Sequence, residues 1–464
     1  MKPSYLRQSV TFVLTLFVCS TAFSQHRSAD EPFTMALTGD SIITRKLSVY
    51  DEPEFLQLID LLRNADVAFT NLEMLFHDYE PYAMAESGGT YMRADPELAN
   101  DLKWAGIDLV SRANNHAGDY GTLGLQLTTQ YVEKAGLVHA GVGMSLAEAR
   151  EAKFLETPKA RVALISMASS YANHMRAGRS RDDVPPRPGL NPLRYKTTYV
   201  LPGDSFENMR QAGDALGEFT DQDGQPTGTK EDAPDEIEVF GRNFSRGEEA
   251  QIQIVANEND VAEIAAVVSN ASRLADFTIV TIHAHEHAGT RDSTPEFLTL
   301  FARAMIEAGA DVFVGHGPHA LRGIEIYQGK PILYSLGDFI FQNETLARLP
   351  SENYERYDLD ENAHIADFND ARYSDDTEGF PAIPEIWEAV VAVPLFRNRE
   401  LAELALYPIS LGYGEPRQVR GRPVMAESEL GEKIIGDLQR LSEPFGTTIQ
   451  MRRGVGYVQL DNNQ

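Results

Sequence analysis

His316 and His319 stand three residues apart in Gly315-His316-Gly317-Pro318-His319, where two glycines and a proline break any regular element. The stretch follows Asp311 to Val314, a short apolar run of the kind that forms a buried strand. Two imidazoles on a tight loop at a strand's end can aim at one point, and neutral imidazoles at one point are metal ligands. The arrangement recurs upstream. Phe277 to Ile282 reads as another buried strand, and it delivers His283-Ala284-His285-Glu286-His287.

Three more strand candidates end on polar groups. Phe33 to Thr38 runs into Gly39-Asp40, with Arg45 five residues after the aspartate to face an anion or pair with an acid. Ala65 to Thr70 delivers Asn71-Leu72-Glu73. Ile107 to Val110 ends in Ser111-Arg112-Ala113-Asn114-Asn115-His116, with Asp119 and Gly121 just after. Taken singly these are ordinary: an aspartate after a strand caps helices, and a loop histidine is commonly just solvated. Five strand exits carrying Asp40, Glu73, Asn115 with His116, His283 with His285, and His316 with His319 are a joint signal. A two-metal hydrolytic centre needs this mixture. A carboxylate bridges the ions, imidazoles and an amide complete their shells, and a bridging water becomes hydroxide near neutral pH.

The elements between these exits are helical. Glu54 to Asn64 places Phe55, Leu58, Ile59 and Leu62 on one face, and Pro96 to Ala105, Gly121 to Ala135, Asp260 to Ala275 and Thr294 to Ala308 follow the same period. Strand, loop and helix in repeated succession predict a layered α/β fold, with ligands at the carboxyl ends of its strands. From residue 169 to 249 the texture turns to Pro, Gly, Asp and Thr, which predicts a loop-rich insertion over or beside the site, as a lid or as surface decoration. Residues 343 to 385 are a second, acidic excursion. Glu388 to Pro394 and Leu401 to Ile409 read as paired strands, Glu427 to Leu441 as a helix and Val455 to Leu460 as a strand. No linker divides the chain into independent domains.

The composition is globular, with 42% hydrophobic and 24% charged residues among 464. A formal net charge of −28 argues against nucleic acid and anionic membranes as general partners. An anionic substrate would then need a local cationic centre, which bound metal supplies. Residues 1 to 24 have the pattern of an export signal: Lys2 and Arg7, an apolar Val10 to Val18, and Ala22-Phe23-Ser24 before Gln25. The expected location is periplasmic or extracellular. The one cysteine, Cys19, lies in that segment, and Phe17-Val18 before it are bulky for a lipoprotein site. The processed chain therefore has neither disulfides nor thiolate ligands, and His, Asp, Glu and Asn suit Mn, Fe, Zn or Mg.

Gly39-Asp40 with Arg45, Asn71-Leu72-Glu73, Asn114-Asn115-His116 with Asp119 and Gly121, and Gly315-His316 with Pro318-His319 before GIEIYQGKPILYSLGDFIF resemble the CapA-type capsule-synthesis proteins. These are the poly-γ-glutamate capsule proteins, themselves similar to calcineurin-like metallophosphoesterases. The resemblance covers most of residues 33 to 341 in order. It implies a four-layer αββα sandwich with two divalent metals at one edge of its sheets. Residues 33–342 would form that domain, with 169–249 inserted and 343–464 completing it. It also implies that Asp40 and His319 bind one metal, that Glu73 bridges, and that Asn115, His283 and His316 bind the other. His116 would stay free of metal as general acid, and Arg45 would stabilise negative charge on the substrate.

The chain departs from the family pattern in three places. Ile42 stands where a metallophosphoesterase usually has a histidine, and Glu73 replaces an aspartate. His283-Ala284-His285-Glu286-His287 stands where the family has a motif close to His-Trp-Gly-x-Glu, which leaves His285 as an added ligand or a pocket wall. The implied function is an exported metal-dependent hydrolase of a phosphoester or a γ-glutamyl amide, acting on an anionic small molecule or envelope polymer. The alternative is a non-catalytic accessory subunit beside membrane-bound capsule-synthesis partners. His116 favours the enzyme, because a purely structural site has little use for a non-ligating histidine next to Asn115. A periplasmic sugar- or peptide-binding protein is disfavoured, since it would not need histidines at successive strand exits.

Overall fold

The computed structural model describes residues 31–220 and 235–460; the export signal expected at 1–24, with Cys19, lies outside them. Two large sheets dominate. The first has ten strands, in the order Ile449–Arg452, Val455–Val458, Glu400–Ser410, Glu388–Arg397, Phe33–Ile42, Val67–Leu72, Leu109–Ser111 and Val138–Ala140, with Asp338–Phe341 added on Phe33–Ile42 and Val424–Met425 on Glu400–Ser410. The second has six, in the order Ile324–Tyr327, Lys330–Leu333, Val312–His316, Phe277–His283, Arg161–Ala168 and Lys153–Glu156.

The alternation of side chains along each strand explains the packing. Met35, Leu37, Val67, Phe69 and Leu109 of the first sheet share one buried cluster with Val162, Leu164, Ile279, Val312 and Val314 of the second, so the two sheets face each other. Their neighbours in sequence point the other way. Ala36, Ala68 and Val110 meet Phe55, Leu58, Ile59 and Leu62 of helix Pro53–Asn64 and Leu98 and Leu102 of helix Leu98–Ala105. Ala163, Ile165, Val280, Ile282 and Phe313 meet Ile264 and Val268 of helix Glu258–Ser272 and Phe297, Phe301 and Met305 of helix Glu296–Glu307. A strand covered on both faces reads as a continuous apolar run. In Phe33–Ile42 only Thr34 falls short of full burial.

Parallel pairing aligns the polar strand ends. Asp40 is in register with Asn71 and with Asp338, Asn71 with Ser111, and His283 with His316. Gly39 makes the first alignment physically possible. A Cβ there would lie 1.7 Å from the Gly337 carbonyl oxygen, so only glycine lets these two Gly-Asp dipeptides lie side by side.

The insertion differs from its expected loop-rich character. Residues 195–256 contain a four-stranded sheet, ordered Glu236–Val239, Arg242–Gly247, Tyr195–Pro202 and Gln251–Ala256, and a helix, Gly203–Ala215. Phe206, Phe219, Ile237, Val239 and Phe244 form its small core. One thinly covered sheet needs few apolar residues, which is why the sequence looked like loop. Tyr195 packs on Phe297 with ring centroids 5.8 Å apart, which docks this sheet against a helix on the outer face of the second large sheet. The acidic excursion is the segment that reaches the strand ends: it forms helix Ile365–Tyr373 and sets Phe380 5.6 Å from the His319 ring.

Candidate metal centre

Asp40, Glu73, His283 and Asp338 are completely buried, and they meet where the first sheet's strand ends approach the second's. Three overlapping groups bring ligand atoms within 4.8 Å of one another: Asp40 with Glu73 and His283, Asp40 with His319 and Asp338, and Glu73 with His285 and His319. The loop after Val312–His316 turns sharply to present its histidine. Gly317 has φ +109° and His319 φ +52°, a left-handed conformation that non-glycine residues adopt at a cost and that clusters at functional sites.

Neighbouring groups orient the ligands. Asn71 donates from Nδ2 to Asp40 Oδ1 at 2.6 Å and accepts at Oδ1 from Ser111 Oγ at 2.7 Å. The Gly317 N–H donates to Asp40 Oδ2 at 2.9 Å. Nδ1 of His319 pairs with Asp338 Oδ1 at 2.8 Å, and Nε2 of His283 lies 3.0 Å from Nε2 of His285. His116 pairs at Nδ1 with Asp119 Oδ2, 2.7 Å away, and its Nε2 lies 3.7 Å from Glu73 Oε1. Asp119 is itself held by the N–H groups of Gly88 at 3.0 Å and Met92 at 2.9 Å.

The charge balance at this point is unusual. Both carboxylate oxygens of Glu73, Oδ2 of Asp338 and Oδ1 of Asn115 are buried without a hydrogen-bond partner. Burial drives the Glu73 carboxyl well above the usual range, and the charges of Asp40, Asp338 and Asp119 push the same way. Burial likewise raises Asp338 to about 6 against the opposing pull of His319. Burial lowers His283 and, much further, His285, so both imidazoles are held neutral, the form that binds metal. A protein interior does not leave four acceptors and this much like charge unanswered. A divalent cation satisfies them directly, so the donor set fits one. Asp40, Glu73, Asp338, His283, His285 and His319 would hold it.

Two of the expected site residues have other partners, although His316 is in register with His283 and its charge acts on Asp40. His316 lies in none of the three groups: its Nε2 bonds to the Thr281 hydroxyl, its ring packs 5.7 Å from Phe69, and Nδ1 is buried without a partner. Arg45 donates to the backbone carbonyls of Arg417, at 2.9 Å, and Arg420, so its charge secures a loop. The strand-exit pattern gives no sign of a role for Asp338 or Arg291, and marks Asn71 only as a neighbour of Glu73. Asp338 repeats the Gly-Asp of Gly39-Asp40, which is a usable signal, but it begins a strand where the other acids end one. Arg291 donates to the Pro318 carbonyl at 3.0 Å, beside His319, and nothing in its surroundings in sequence marks it.

The fold and donor set thus define a mixed α/β protein with a buried carboxylate–histidine cluster at its strand ends. The family described as "Bacterial capsule synthesis protein PGA_cap" matches residues 34–343, and the chain belongs to it. It is 39% identical over 440 residues to an uncharacterized protein, y4sH, of Sinorhizobium fredii, covering 92% of this chain and 93% of that one. It is 23% identical to the capsule biosynthesis protein CapA of Bacillus anthracis, over 68% of this chain and 61% of that one. The PGA biosynthesis protein CapA of Bacillus subtilis is 24% identical, over 68% of this chain and 64% of its own length. Among the described residues no helix is long and apolar enough to cross a membrane.

Proposed function

We propose that this chain is an exported metal-dependent hydrolase acting on an anionic envelope polymer of the poly-glutamate type, on a four-layer αββα metallophosphatase-like sandwich. One observation carries the reading: the Glu73 carboxylate is fully buried, no protein group donates to it, and the His116 Nε2 lies 3.7 Å away. Divalent cations, when bound, would supply a water acidic enough to attack near neutral pH. The chain's own residues do the rest. Asp119 accepts the Nδ1 proton of His116, which fixes the tautomer and turns Nε2 toward Glu73. In its imidazolium form His116 gives the Nε2 proton to the leaving group as general acid and returns to the Nδ1–H tautomer that Asp119 holds. The Gly88 and Met92 N–H groups keep Asp119 from turning away. Membrane-bound capsule-synthesis proteins are the natural partners of such an activity.

The test is turnover of a generic phosphodiester and of a γ-linked glutamate oligomer with added manganese. His116→Ala is expected to lose about 10²–10⁴-fold in rate while keeping its metal content. Bound metal with no turnover of either bond would contradict the hydrolase and favour an accessory role in polymer assembly.

A further inference from the structure

The rim of the cluster carries two guanidinium groups that the proposed chemistry does not use. Arg291 is exposed and stands over the Phe380 ring at 5.7 Å, while its Nη1 donates to the Pro318 carbonyl. Arg372 is half-buried and stands 5.9 Å from the same ring, while its Nη1 donates to the Thr90 hydroxyl. Phe380 itself lies 5.6 Å from His319 and 5.2 Å from Phe341. Two cations therefore lie near one aromatic ring at the edge of the donor cluster, Arg372 also standing over Tyr373 at 5.0 Å. Among the described residues neither has a carboxylate within ion-pair distance, although the chain carries 69 Asp and Glu against 41 Lys and Arg. Their surroundings differ from those of nearby arginines that hold loops. Arg417 and Arg420 each pair with two or more acids, and buried Arg322 donates to the carbonyls of Ala284, Glu286 and Arg291. Arg291 is also close enough for its charge to act on Asp338 and His319, which places it at the reaction space.

We propose that Arg291 and Arg372, both close to Phe380, form a subsite that binds a carboxylate of the substrate chain next to the bond presented to the cluster. This rests on the hydrolase reading for its purpose, and on the arginine geometry for its existence. A guanidinium fork matches a carboxylate in two parallel hydrogen bonds, and stacking on an aromatic face holds the fork in plane. In a chain of net charge −28, two unneutralised cations also give an acidic polymer a place to approach. The subsite selects for charge on the chain flanking the reacting bond, independent of which bond is cut.

The experiment is calorimetric binding of a γ-linked glutamate oligomer to the metal-free full chain, beside the same oligomer with its free carboxylates amidated. Arg291→Gln and Arg372→Gln are each expected to weaken binding of the acidic oligomer about tenfold, the loss of one charge-assisted pair. The amidated oligomer is expected to bind weakly and equally to all forms. Arg372 also touches Thr90, so thermal unfolding of each variant is followed, and Arg372→Lys is expected to recover part of the affinity. Folded variants with wild-type affinity, or no measurable binding to the wild type, would overturn the subsite. Arginine-dependent binding in a protein that turns over no substrate would support the subsite and sink the hydrolase reading alone.

Discussion

Two fully buried acids, Asp260 and Glu73, show what the protein completes by itself and what it leaves open. Asp260, in the first turn of helix Glu258–Ser272, accepts from Arg194 N at 3.0 Å, Nε at 2.7 Å and Nη2 at 2.9 Å, and from Arg150 Nη2. Burial alone would raise its carboxyl, yet the bonds from Arg194 and Arg150 hold it below the ordinary range. Glu73 is as buried and accepts from nothing, and its carboxyl is driven up. The first cluster is a finished ionic clamp between the insertion and the helix. The second is closed by no donor of the chain among the described residues, and its donor set fits a divalent cation. Burial of charge therefore does not distinguish scaffold from site; satisfaction of its hydrogen-bonding capacity does.

The contrast is broken most severely by removing each acid in turn. Asp260→Ala removes the shared acceptor of Arg150 and Arg194, leaving buried Arg150 only Glu263 and Asn191, and is expected to cost about 3–5 kcal/mol in a denaturant titration. Glu73→Gln in the metal-free protein is expected to leave stability unchanged or raise it, because it removes a charge that Asp40 and Asp338 already oppose. Equal losses in the two variants would erase the distinction. Metal sharpens it next. Manganese at 100 to 1,000 times its dissociation constant is expected to stabilise the wild type by about 3–4 kcal/mol, and Glu73→Gln by much less.

The pH dependences have opposite signs. Asp338 is raised from 3.8 to about 6, so its contribution is fully present below 3.8 and is lost as pH rises through about 6. Metal-free wild type is then expected to lose about 3 kcal/mol relative to Asp338→Asn between about pH 4 and about pH 7. Asp260 is lowered from 3.8, so the advantage of wild type over Asp260→Asn holds above 3.8 and fades as pH falls through its depressed folded-state value. Unfolding of wild type, Asp338→Asn and Asp260→Asn across pH 3 to 8 checks both slopes. The smallest effect is steric. Gly39→Ala, whose Cβ would meet the Gly337 carbonyl, is expected to cost about 1–3 kcal/mol and to weaken metal uptake by parting Asp40 from Asp338.

The alternation of apolar strands and amphipathic helices was legible because both large sheets are covered on both faces, so strands such as Val67–Leu72 are buried at every position. Helix Pro53–Asn64 buries the same four residues that its period marks. The small sheet at 195–256 was not legible, because Gln251–Ala256 exposes most of its side chains and offers no continuous apolar run. At the site, Asp40, Glu73, His283, His285 and His319 were readable from their places at strand exits. His316 shares that signal and is in register with His283, but its Nε2 is taken by the Thr281 hydroxyl and its ring packs on Phe69. Asp338 reaches the cluster through a register between strands almost 300 residues apart, which no local pattern encodes.

The central claim is that the Glu73 cluster is completed by divalent cations, and titration of manganese and zinc into the metal-free chain tests it directly. Wild type and Asp260→Asn are expected to take up ions with the same stoichiometry, and Glu73→Gln to lose that uptake. Uptake that survives Glu73→Gln unchanged, or no uptake by the wild type, would contradict the account.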